Sequence, residues 1–370
     1  MSASVLISGA GIGGSTLAYW LGRNGFDVTV VERAAGQRSS GNPIDVRGAA
    51  WRVVEEMGVL PELRAAATHV DRLTFVDAAG RRKASMRTAG GRGAASGEVE
   101  LARAELAAIL LESAEGQARM FWGDSISGLE QDESGVDVTF EHAAPARFDY
   151  VVGADGLHST VRRLVFGAER DFVRHMGMYV ATLPVDRTFG GDREVVMYNE
   201  PGRSVSVHPA GGKPLAAFMF RAAAVPDYDY RDTAQHKRLV LDAFDGRTGI
   251  FGDLLDQVRA AGDLYFDSVS RVSLPRWTAG RVTLLGDAGS SLSLFGDGSS
   301  LAIAGAHTLA AELTRTPGDP GAALYRYEQR QRELSKPALR GFRTAGALIV
   351  PASRVAIALR DTAIRVLPQR

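Results

Sequence analysis

A glycine-rich turn between an apolar strand and a helix constrains the fold of this chain more than any other feature. Gly9, Gly11 and Gly14 form the pattern GxGxxG directly after an apolar strand at residues 5–8, and the next apolar strand ends at Glu32. Gly9 permits a tight turn, Gly11 lets the backbone approach a pyrophosphate, and Gly14 lets helix and strand pack closely. In this context the pattern predicts a β-α-β unit that binds a dinucleotide.

The residues around the turn predict what the unit binds. A helix is expected over residues 15–24, with Gly25 as its C′ residue. Ile12 and Gly13 precede it, where backbone N–H groups face a phosphate whose charge the helix dipole favours. Glu32 lies where a carboxylate binds the hydroxyls of an adenosine ribose, and it fits a 2′-phosphate badly. The tightly held dinucleotide is therefore expected to be FAD or NAD and not NADP.

A second strand-to-turn motif lies in the middle of the chain. A buried strand at residues 150–152 leads into Asp155 and Gly156, and a helix start follows. The residues alone leave two interpretations open. The turn can serve a nucleotide site, or it can be an ordinary Asp-Gly turn with Ser159 as the helix N-cap.

A third motif places Gly286 and Asp287 at the end of an apolar strand, residues 282–285. This position is the carboxyl edge of a sheet, where ligands bind in open α/β folds. Gly298 and Ser299 follow after a loop, at the predicted start of a helix whose N-terminus can hold the negative charge of a reduced flavin ring. A strand-to-turn Asp without a ligand is the alternative for Asp287.

Together the three motifs resemble those of the FAD-dependent aromatic hydroxylase family, which has the p-hydroxybenzoate hydroxylase fold, from residue 5 to about residue 313. At 370 residues the chain resembles compact members such as the tetracycline-inactivating monooxygenases. The resemblance implies that GxGxxG and Glu32 bind the ADP half of non-covalent FAD. It associates Asp155 with FAD and the nicotinamide cofactor, and Gly286 and Asp287 with the ribityl-pyrophosphate part.

Three arginines take cofactor roles only through this resemblance. Arg103, just before a predicted helix at residues 104–114, matches an arginine near the FAD pyrophosphate. Arg33 matches the second member of a Glu-Arg pair near the adenosine. Arg47 belongs to a loop, residues 41–48, that in relatives lies near the isoalloxazine. Ordinary surface positions remain the alternative for all three.

The loop after Asp287 departs from the family pattern. Residues 290–295 contain no proline, and the loop is one residue shorter than is usual in the family. Asp297 occupies the middle of a triplet, where a carboxylate beside an anionic flavin would be unfavourable. Either Asp297 points away or the flavin environment is unusual. This departure weakens the expectation of oxygen activation more than the expectation of FAD.

The motifs and the apolar patterns predict an α/β protein. It has a Rossmann-type FAD-binding domain, an inserted antiparallel-sheet substrate domain and a helical C-terminus. The FAD-binding domain is assigned to residues 1–70, 98–170 and 275–320, the substrate domain to 71–97 and 171–274, and the C-terminal helices to 321–370.

The inserted sheet supplies the candidate substrate contacts. Met178, Tyr198, His208 and Phe220 would form an apolar pocket that accepts an aromatic ring. Ordinary core packing is the alternative for each of them. Of the four, His208 has the group that titrates near neutral pH, and it would help to deprotonate a phenol.

The resemblance implies a monooxygenase in which NADPH or NADH reduces FAD. A flavin C4a-hydroperoxide then transfers one atom of molecular oxygen to an aromatic or polyketide-like molecule. The flavin carries the chemistry, so no side chain is assigned as catalytic. A flavin oxidoreductase or dehydrogenase without oxygen transfer, and an FAD-containing ligand-binding protein without turnover, remain alternatives. By analogy, the family role is in secondary metabolism or in resistance to antibiotics.

Composition excludes several other classes of function. The 43 basic and 43 acidic residues give a formal net charge of zero, which disfavours binding to nucleic acid or to a membrane surface. The chain has no Cys, and none of its seven His forms an i, i+4 pair, so no metal site is expected. It shows neither a signal peptide nor an apolar run of about 18 residues. A cytoplasmic protein is expected, either a monomer or a homodimer.

Overall fold

The structure is a computed structural model that describes residues 2–37, 43–88, 97–209, 213–246, 250–292, 297–316, 318–337 and 342–366. Its helices are α1 (Ile12–Arg23), α2 (Ala49–Met57), α3 (Leu60–Ala65), α4 (Arg103–Ser113), α5 (Thr160–Val165), α6 (Glu169–Phe172), α7 (Thr233–Ala243), α8 (Ile250–Ala260), α9 (Asp297–Arg315), α10 (Pro320–Ser335), α11 (Phe342–Ile349) and α12 (Arg354–Val366). Its strands are β1 (Ser4–Ser8), β2 (Asp27–Glu32), β3 (Ile44–Arg47), β4 (Arg72–Val76), β5 (Arg82–Arg87), β6 (Glu98–Leu101), β7 (Arg119–Trp122), β8 (Ile126–Gln131), β9 (Val136–Phe140), β10 (Ala146–Phe148), β11 (Tyr150–Gly153), β12 (Val173–Pro184), β13 (Glu194–Glu200), β14 (Arg203–His208), β15 (Leu215–Arg221), β16 (Tyr265–Ser273), β17 (Thr278–Ala279), β18 (Val282–Leu284) and β19 (Ser290–Leu292).

The predicted β-α-β unit is formed by β1, α1 and β2, with β1 and β2 paired in parallel. Helix α1 begins earlier than predicted, because the glycines that follow Gly11 belong to its first turn. The predicted C′ residue is confirmed, since Gly25 has a φ of +82°. The Gly25 N–H donates to the Gly22 carbonyl and the Phe26 N–H to the Leu21 carbonyl, the two bonds of a Schellman motif.

A six-stranded sheet is built from sequence-distant apolar strands in the order β17-β18-β11-β1-β2-β7. The strands β18, β11, β1, β2 and β7 are parallel, and β17 is antiparallel to β18. Strands β1, β11 and β18 are almost entirely buried, as expected when both faces of a parallel sheet are covered. Their carboxyl ends therefore meet at one edge, and each of the three sequence motifs directly follows one of them.

Different elements cover the two faces of this sheet. Helices α1, α2, α4, α9 and α10 pack on one face through a core that includes Leu17, Leu106 and Leu309. The other face meets α5 and a small antiparallel sheet, β10-β9-β8, through residues such as Val138 and Val161. The predicted α/β fold class, with a Rossmann-type domain, is confirmed.

An eight-stranded sheet has the order β19-β16-β12-β15-β14-β13-β4-β5. It is antiparallel except where β13 runs parallel to β4. Helices α7 and α8 cover one face through aromatic residues such as Phe218 and Phe244. The opposite face packs against the C-terminal region, where Met178 and Val180 contact Val350.

The sheets do not follow the predicted domain boundaries at every point. The six-stranded sheet takes its strands from the three segments assigned to FAD binding. The eight-stranded sheet also takes β19, which falls in the segment 275–320, and β19 pairs with β16. The sequence predicts a loop and no strand at residues 290–292, because β19 forms through a long-range pairing that no local pattern records.

The predicted helical C-terminus is present, but its helices pack on different sheets. Helix α10 joins the core of the six-stranded sheet through Leu324 and Tyr327. Helices α11 and α12 lie on the eight-stranded sheet, with Ile349 and Ile364 against Phe75. Among the described residues, no helix combines the length and apolar character needed to cross a bilayer.

Candidate cofactor and substrate site

The three motif turns lie side by side at the carboxyl edge of the six-stranded sheet. Backbone hydrogen bonds join them: the Ala154 N–H donates to the Ser8 carbonyl at 2.8 Å, and the Leu285 N–H donates to the Gly153 carbonyl at 2.8 Å. Gly9 adopts a φ of +104°, and a Cβ there would lie 2.6 Å from the Ala154 carbonyl oxygen. The second motif therefore packs directly on the first, which requires glycine at that position.

The glycines of the first turn fit a bound pyrophosphate. A Cβ at Gly14 would lie 1.9 Å from the Gly9 carbonyl oxygen, so Gly14 is required for the close approach of α1 to the turn. A Cβ at Gly11 would meet nothing within 4 Å. The space over Gly11, next to the first N–H groups of α1, is thus open to a ligand. Ile12 and Gly13 are the first residues of α1, as the phosphate position requires.

Glu32 closes β2 beside the first turn. Its carboxylate accepts hydrogen bonds from the Ala10 N–H at 2.9 Å and the Ala34 N–H at 2.8 Å. One bond to each oxygen leaves further acceptor capacity on the carboxylate, which suits ribose hydroxyls. Arg33 instead contacts the segment at residues 171–274, which carries most of the eight-stranded sheet. Its Nη1 donates to the Tyr230 hydroxyl at 3.1 Å.

Asp155 has structural partners in the second motif. Its carboxylate accepts from the Ser159 hydroxyl at 2.5 Å and from the Val161 N–H at 3.1 Å. Ser159 is the N-cap of α5 and accepts from the Arg162 N–H at 3.0 Å. Burial raises the pKa of Asp155, against these hydrogen bonds. The N-cap interpretation of Ser159 therefore holds, and Asp155 fixes the turn that packs on Gly9.

The third motif brings Asp287 near residues from two distant segments. Gly286 has a φ of +61° and opens a short 3-10 turn. Burial raises the pKa of Asp287, while the charge of Arg103, the first residue of α4, lowers it. Burial also raises the pKa of the Tyr265 hydroxyl, and Arg103 again acts in the opposite direction. Arg103, Asp287 and Tyr265 therefore form one electrostatic cluster.

The start of α9 lies against the same cluster and against β3. A Cβ at Gly298 would lie 3.6 Å from a carboxylate oxygen of Asp287. The Ser299 hydroxyl donates to the Asp45 carbonyl oxygen at 3.3 Å. Arg47, the last residue of β3, donates from Nε to Asp297 at 2.9 Å. The helix begins at Asp297 rather than near Ser299. Residues 293–295 of the loop lie outside the described residues, and residues 290–292 form β19.

The four predicted substrate contacts are divided between the two faces of the eight-stranded sheet. Phe220 is buried in the aromatic core under α7 and α8, and Tyr198 stacks on Phe251 of α8 at 4.3 Å between ring centroids. Met178 faces the other way, against Val350. The four residues therefore do not form one pocket. Core packing, the alternative from the sequence, describes Tyr198 and Phe220.

His208 lies on the same face of the sheet as Met178. Val205 and Val207 of β14 point into the core under α7 and α8, so strand alternation directs His208 to the opposite face. Burial lowers the pKa of His208 to about 4, and its ring lies 3.1 Å from the Ser206 hydroxyl. A neutral His208 can accept a hydrogen bond from a phenol, but it would hold an abstracted proton only weakly.

Sequence reasoning missed a group of polar residues between the two sheets. His158, in the second motif, lies 3.0 Å from Glu169 and 3.5 Å from Asp267 of β16. Its ring also stacks on Tyr230, with centroids 4.0 Å apart. Together with Tyr265 of β16, these side chains connect the cofactor edge to the substrate sheet. In the sequence, this group is indicated only by the position of His158, three residues after Asp155. The other residues are brought close to His158 by long-range contacts.

Comparisons with known proteins agree with this arrangement. A family described as "FAD binding domain" matches residues 2–340. An uncharacterized protein of Mycobacterium tuberculosis is 39% identical over 328 residues, covering 85% of this chain and 86% of the relative. A flavin-dependent monooxygenase from an unidentified prokaryote is 35% identical over 336 residues, covering 90% and 86%. The crystal structure of the tetracycline destructase Tet(51) superposes with a TM-score of 0.86 at 29% identity, covering 98% of this chain and 96% of that one.

Proposed function

Since this chain belongs to the FAD binding domain family of flavin-dependent monooxygenases, we propose that it inserts one atom of molecular oxygen into a polycyclic aromatic small molecule. Electrons would come from NADPH or NADH. The observation that carries the proposal is the meeting of three sequence-distant turns at one sheet edge, beside a second sheet whose Tyr265 interacts with Arg103 and Asp287 at that edge. Ligands bind at this edge in open α/β folds.

The residues at the edge suit an extended FAD molecule. The open backbone at Gly11 and the N-terminus of α1 would hold the pyrophosphate, with Arg103 and Asp287 near it. Glu32 would bind the ribose, with Arg33 beside the adenosine. Gly298 and Ser299 at the start of α9 would hold the flavin ring, which supplies the redox and oxygen chemistry when bound.

The chain's own contribution is to place the substrate and exclude water. The face of the eight-stranded sheet that carries Met178 and His208 packs, at Met178 and Val269, against the C-terminal segment around Val350. The buried Met178 and Val269 side chains make this face apolar, which favours a ring system over a charged substrate. His208, neutral at physiological pH, would orient a phenolic hydroxyl by accepting its hydrogen bond.

A polycyclic substrate is favoured over a single small ring by one comparison. The destructase Tet(51) acts, by its name, on tetracycline, and its fold covers nearly all of this chain, including the C-terminal segment over the substrate face. We therefore place the substrate among tetracycline-like or other aromatic polyketides. A role in secondary metabolism or antibiotic resistance would follow from such a substrate.

Isotope labelling tests the proposal. The FAD-loaded protein is incubated with NADPH or NADH, oxygen gas enriched in its heavy isotope, and a panel of tetracyclines and related polycyclic phenols. We expect one product whose mass contains one heavy oxygen atom, with consumption of the nicotinamide matching product. Consumption matched by hydrogen peroxide, with every panel member unchanged, would contradict oxygen insertion and favour an oxidoreductase without oxygen transfer.

A further inference from the structure

Arg47 and Asp297 form an ion pair between the end of β3 and the start of α9. Arg47 donates to the same carboxylate oxygen of Asp297 from Nε at 2.9 Å and from Nη2 at 2.5 Å. The contact is anchored by the backbone, since the Arg47 N–H donates to the Ser300 hydroxyl at 3.1 Å. That hydroxyl donates in turn to the Asp45 carbonyl at 2.9 Å. The pair is thus part of the junction that fixes where α9 begins.

Arg47 is also close to two further carboxylates. Its guanidinium also lies 3.5 Å from a carboxylate oxygen of Glu98 and 3.9 Å from one of Asp45. Three carboxylates therefore surround one cation. Burial acts to lower the pKa of Arg47, but Asp297, Asp45 and Glu98 outweigh it and raise that pKa. The side chains of Arg47 and Asp297 are each 40% exposed, so water screens the pair only in part.

Asp297 stands in the first turn of α9, where the helix dipole favours a negative charge. The proposed function uses the same helix N-terminus to hold the reduced flavin. With FAD bound there, hydride transfer from NADPH or NADH would leave NADP⁺ or NAD⁺ and a reduced ring that carries one negative charge. An uncompensated Asp297 carboxylate at this N-terminus would compete with that charge.

We propose that Arg47 is a positioning residue that neutralises Asp297 and thereby raises the reduction potential of the bound flavin. This inference rests on the proposed function, because it requires FAD at the start of α9. It explains how an acidic residue can occupy the middle of the triplet at residues 296–298. Asp297 is paired rather than alone, since Arg47 at the end of β3 donates to its carboxylate.

Flavin midpoint potentials test the inference by a double-mutant cycle. Arg47→Gln leaves the Asp297 charge uncompensated and should lower the potential, while Asp297→Asn removes a negative charge and should raise it. Each change should alter the ratio of reduced to oxidised flavin at least tenfold, which is about 30 mV for a two-electron couple. The double variant Arg47→Gln/Asp297→Asn should return close to the wild-type potential, because the sum of the two charges is again zero.

The matched control is Arg187→Gln, which removes a similar ion pair, Arg187 with Asp253 at 2.8 Å, on the exposed surface beside α8. Its potential should equal that of the wild type. Arg47→Lys keeps the charge and should stay near the wild type, which a merely structural role for the guanidinium would not require. If Arg47→Gln fails to retain FAD, Asp297→Asn and the double variant still decide the sign.

The outcomes separate this inference from the proposed function. If the wild-type protein binds no FAD, the proposed function fails and the inference fails with it. If the wild type binds and reduces FAD but Asp297→Asn has the potential of the control, only the inference is overturned. A shift in the same direction for both single variants would also overturn it.

Discussion

The carboxyl edge of the six-stranded sheet and the α11-facing side of the eight-stranded sheet differ in how their residues are brought together. At the sheet edge, each functional turn immediately follows its own strand, as Gly9 follows β1 and Gly286 follows β18. On the substrate face, Met178 contacts Val350, which is 172 residues away in the sequence. Tyr265 of β16 interacts with Arg103 of α4, which belongs to a distant segment. Local sequence patterns therefore predict the cofactor edge, whereas the substrate face depends on strand pairing and on helices α11 and α12, which pack on it.

A substitution that fills the first turn should have the largest effect on the cofactor edge. Gly14→Ala places a Cβ 1.9 Å from a backbone oxygen, which no side-chain rotation can relieve. We expect a loss of folding free energy of about 3 kcal/mol and loss of FAD. Gly11→Ala is the matched control, because its Cβ meets only open space in the protein.

The control should retain the fold and still bind FAD more weakly, because its methyl group enters the space proposed for the pyrophosphate. Thermal melts of the apoproteins, together with FAD titrations, measure both effects. Equal melting temperatures for Gly14→Ala and the wild type would contradict the packing role of Gly14. Unchanged FAD affinity in Gly11→Ala would contradict the position assigned to the pyrophosphate.

Helix α12 should detach from the eight-stranded sheet without loss of FAD binding at the carboxyl edge of the six-stranded sheet. Arg360 of α12 is buried, pairs with Asp361 at 2.8 Å, and lies 3.9 Å from the centroid of the Phe75 ring. Arg360→Ala leaves the Asp361 charge buried without its main partner, which should destabilise α12 and its contact with β5 by about 4 kcal/mol. We expect faster proteolysis after α11 and weaker substrate binding, with FAD affinity unchanged.

The exposed Arg354→Ala is the control for Arg360→Ala, and it should change stability by less than about 0.5 kcal/mol. Limited proteolysis followed by mass spectrometry locates the cut. If Arg360→Ala lost FAD as readily as substrate, the separation between the cofactor edge and the substrate face would be wrong.

The contact between the two regions should depend on pH through His158. Burial acts to lower its pKa, but hydrogen bonds and charges from Asp267 and Glu169 outweigh this and raise the pKa to about 9. A raised pKa means that the stabilisation is fully present below the unfolded value of about 6.5 and is lost as pH rises through 9. The loss should be about 2 to 3 kcal/mol.

Urea denaturation at pH 6, 7.5 and 9.5 measures this dependence. His158→Gln should be less stable than the wild type at pH 6 and similar to it at pH 9.5. His142→Gln, on an exposed turn of the small sheet, serves as the control and should keep the wild-type slope. A wild-type slope in His158→Gln would show that the imidazolium does not connect the sheets.

The smallest changes in stability and KM are expected from substitutions that distinguish core residues from substrate-binding residues. Tyr198 lies on the α8 side of the eight-stranded sheet, and its hydroxyl donates to Glu200 at 2.6 Å. Tyr198→Phe should cost about 1 kcal/mol of stability through the lost hydrogen bond and leave KM for the aromatic substrate unchanged. His208→Gln, on the opposite face, should raise KM and preserve the pH profile near neutrality. A raised KM in Tyr198→Phe would show that Tyr198 contributes to substrate binding.

The sequence was sufficient for the fold class, the Rossmann unit and the turns at Gly9, Asp155 and Asp287, because each depends on residues adjacent in the chain. The resemblance also singled out Arg103, which lies near Asp287, and its role at the pyrophosphate stays a prediction. The sequence could not predict that Tyr198 and Met178 lie on opposite faces of the sheet, since strand pairing and the helices that cover each face decide this. It also could not pair Asp297 with Arg47, because a contact between β3 and α9 has no local signature.

The visible spectrum of the protein shows whether FAD is held where the three turns meet. Purified protein is incubated with FAD, desalted, and examined before and after anaerobic addition of NADPH. We expect a yellow protein that retains a stoichiometric amount of flavin and bleaches on reduction. A colourless protein after desalting would contradict the assignment of all three turns to the cofactor.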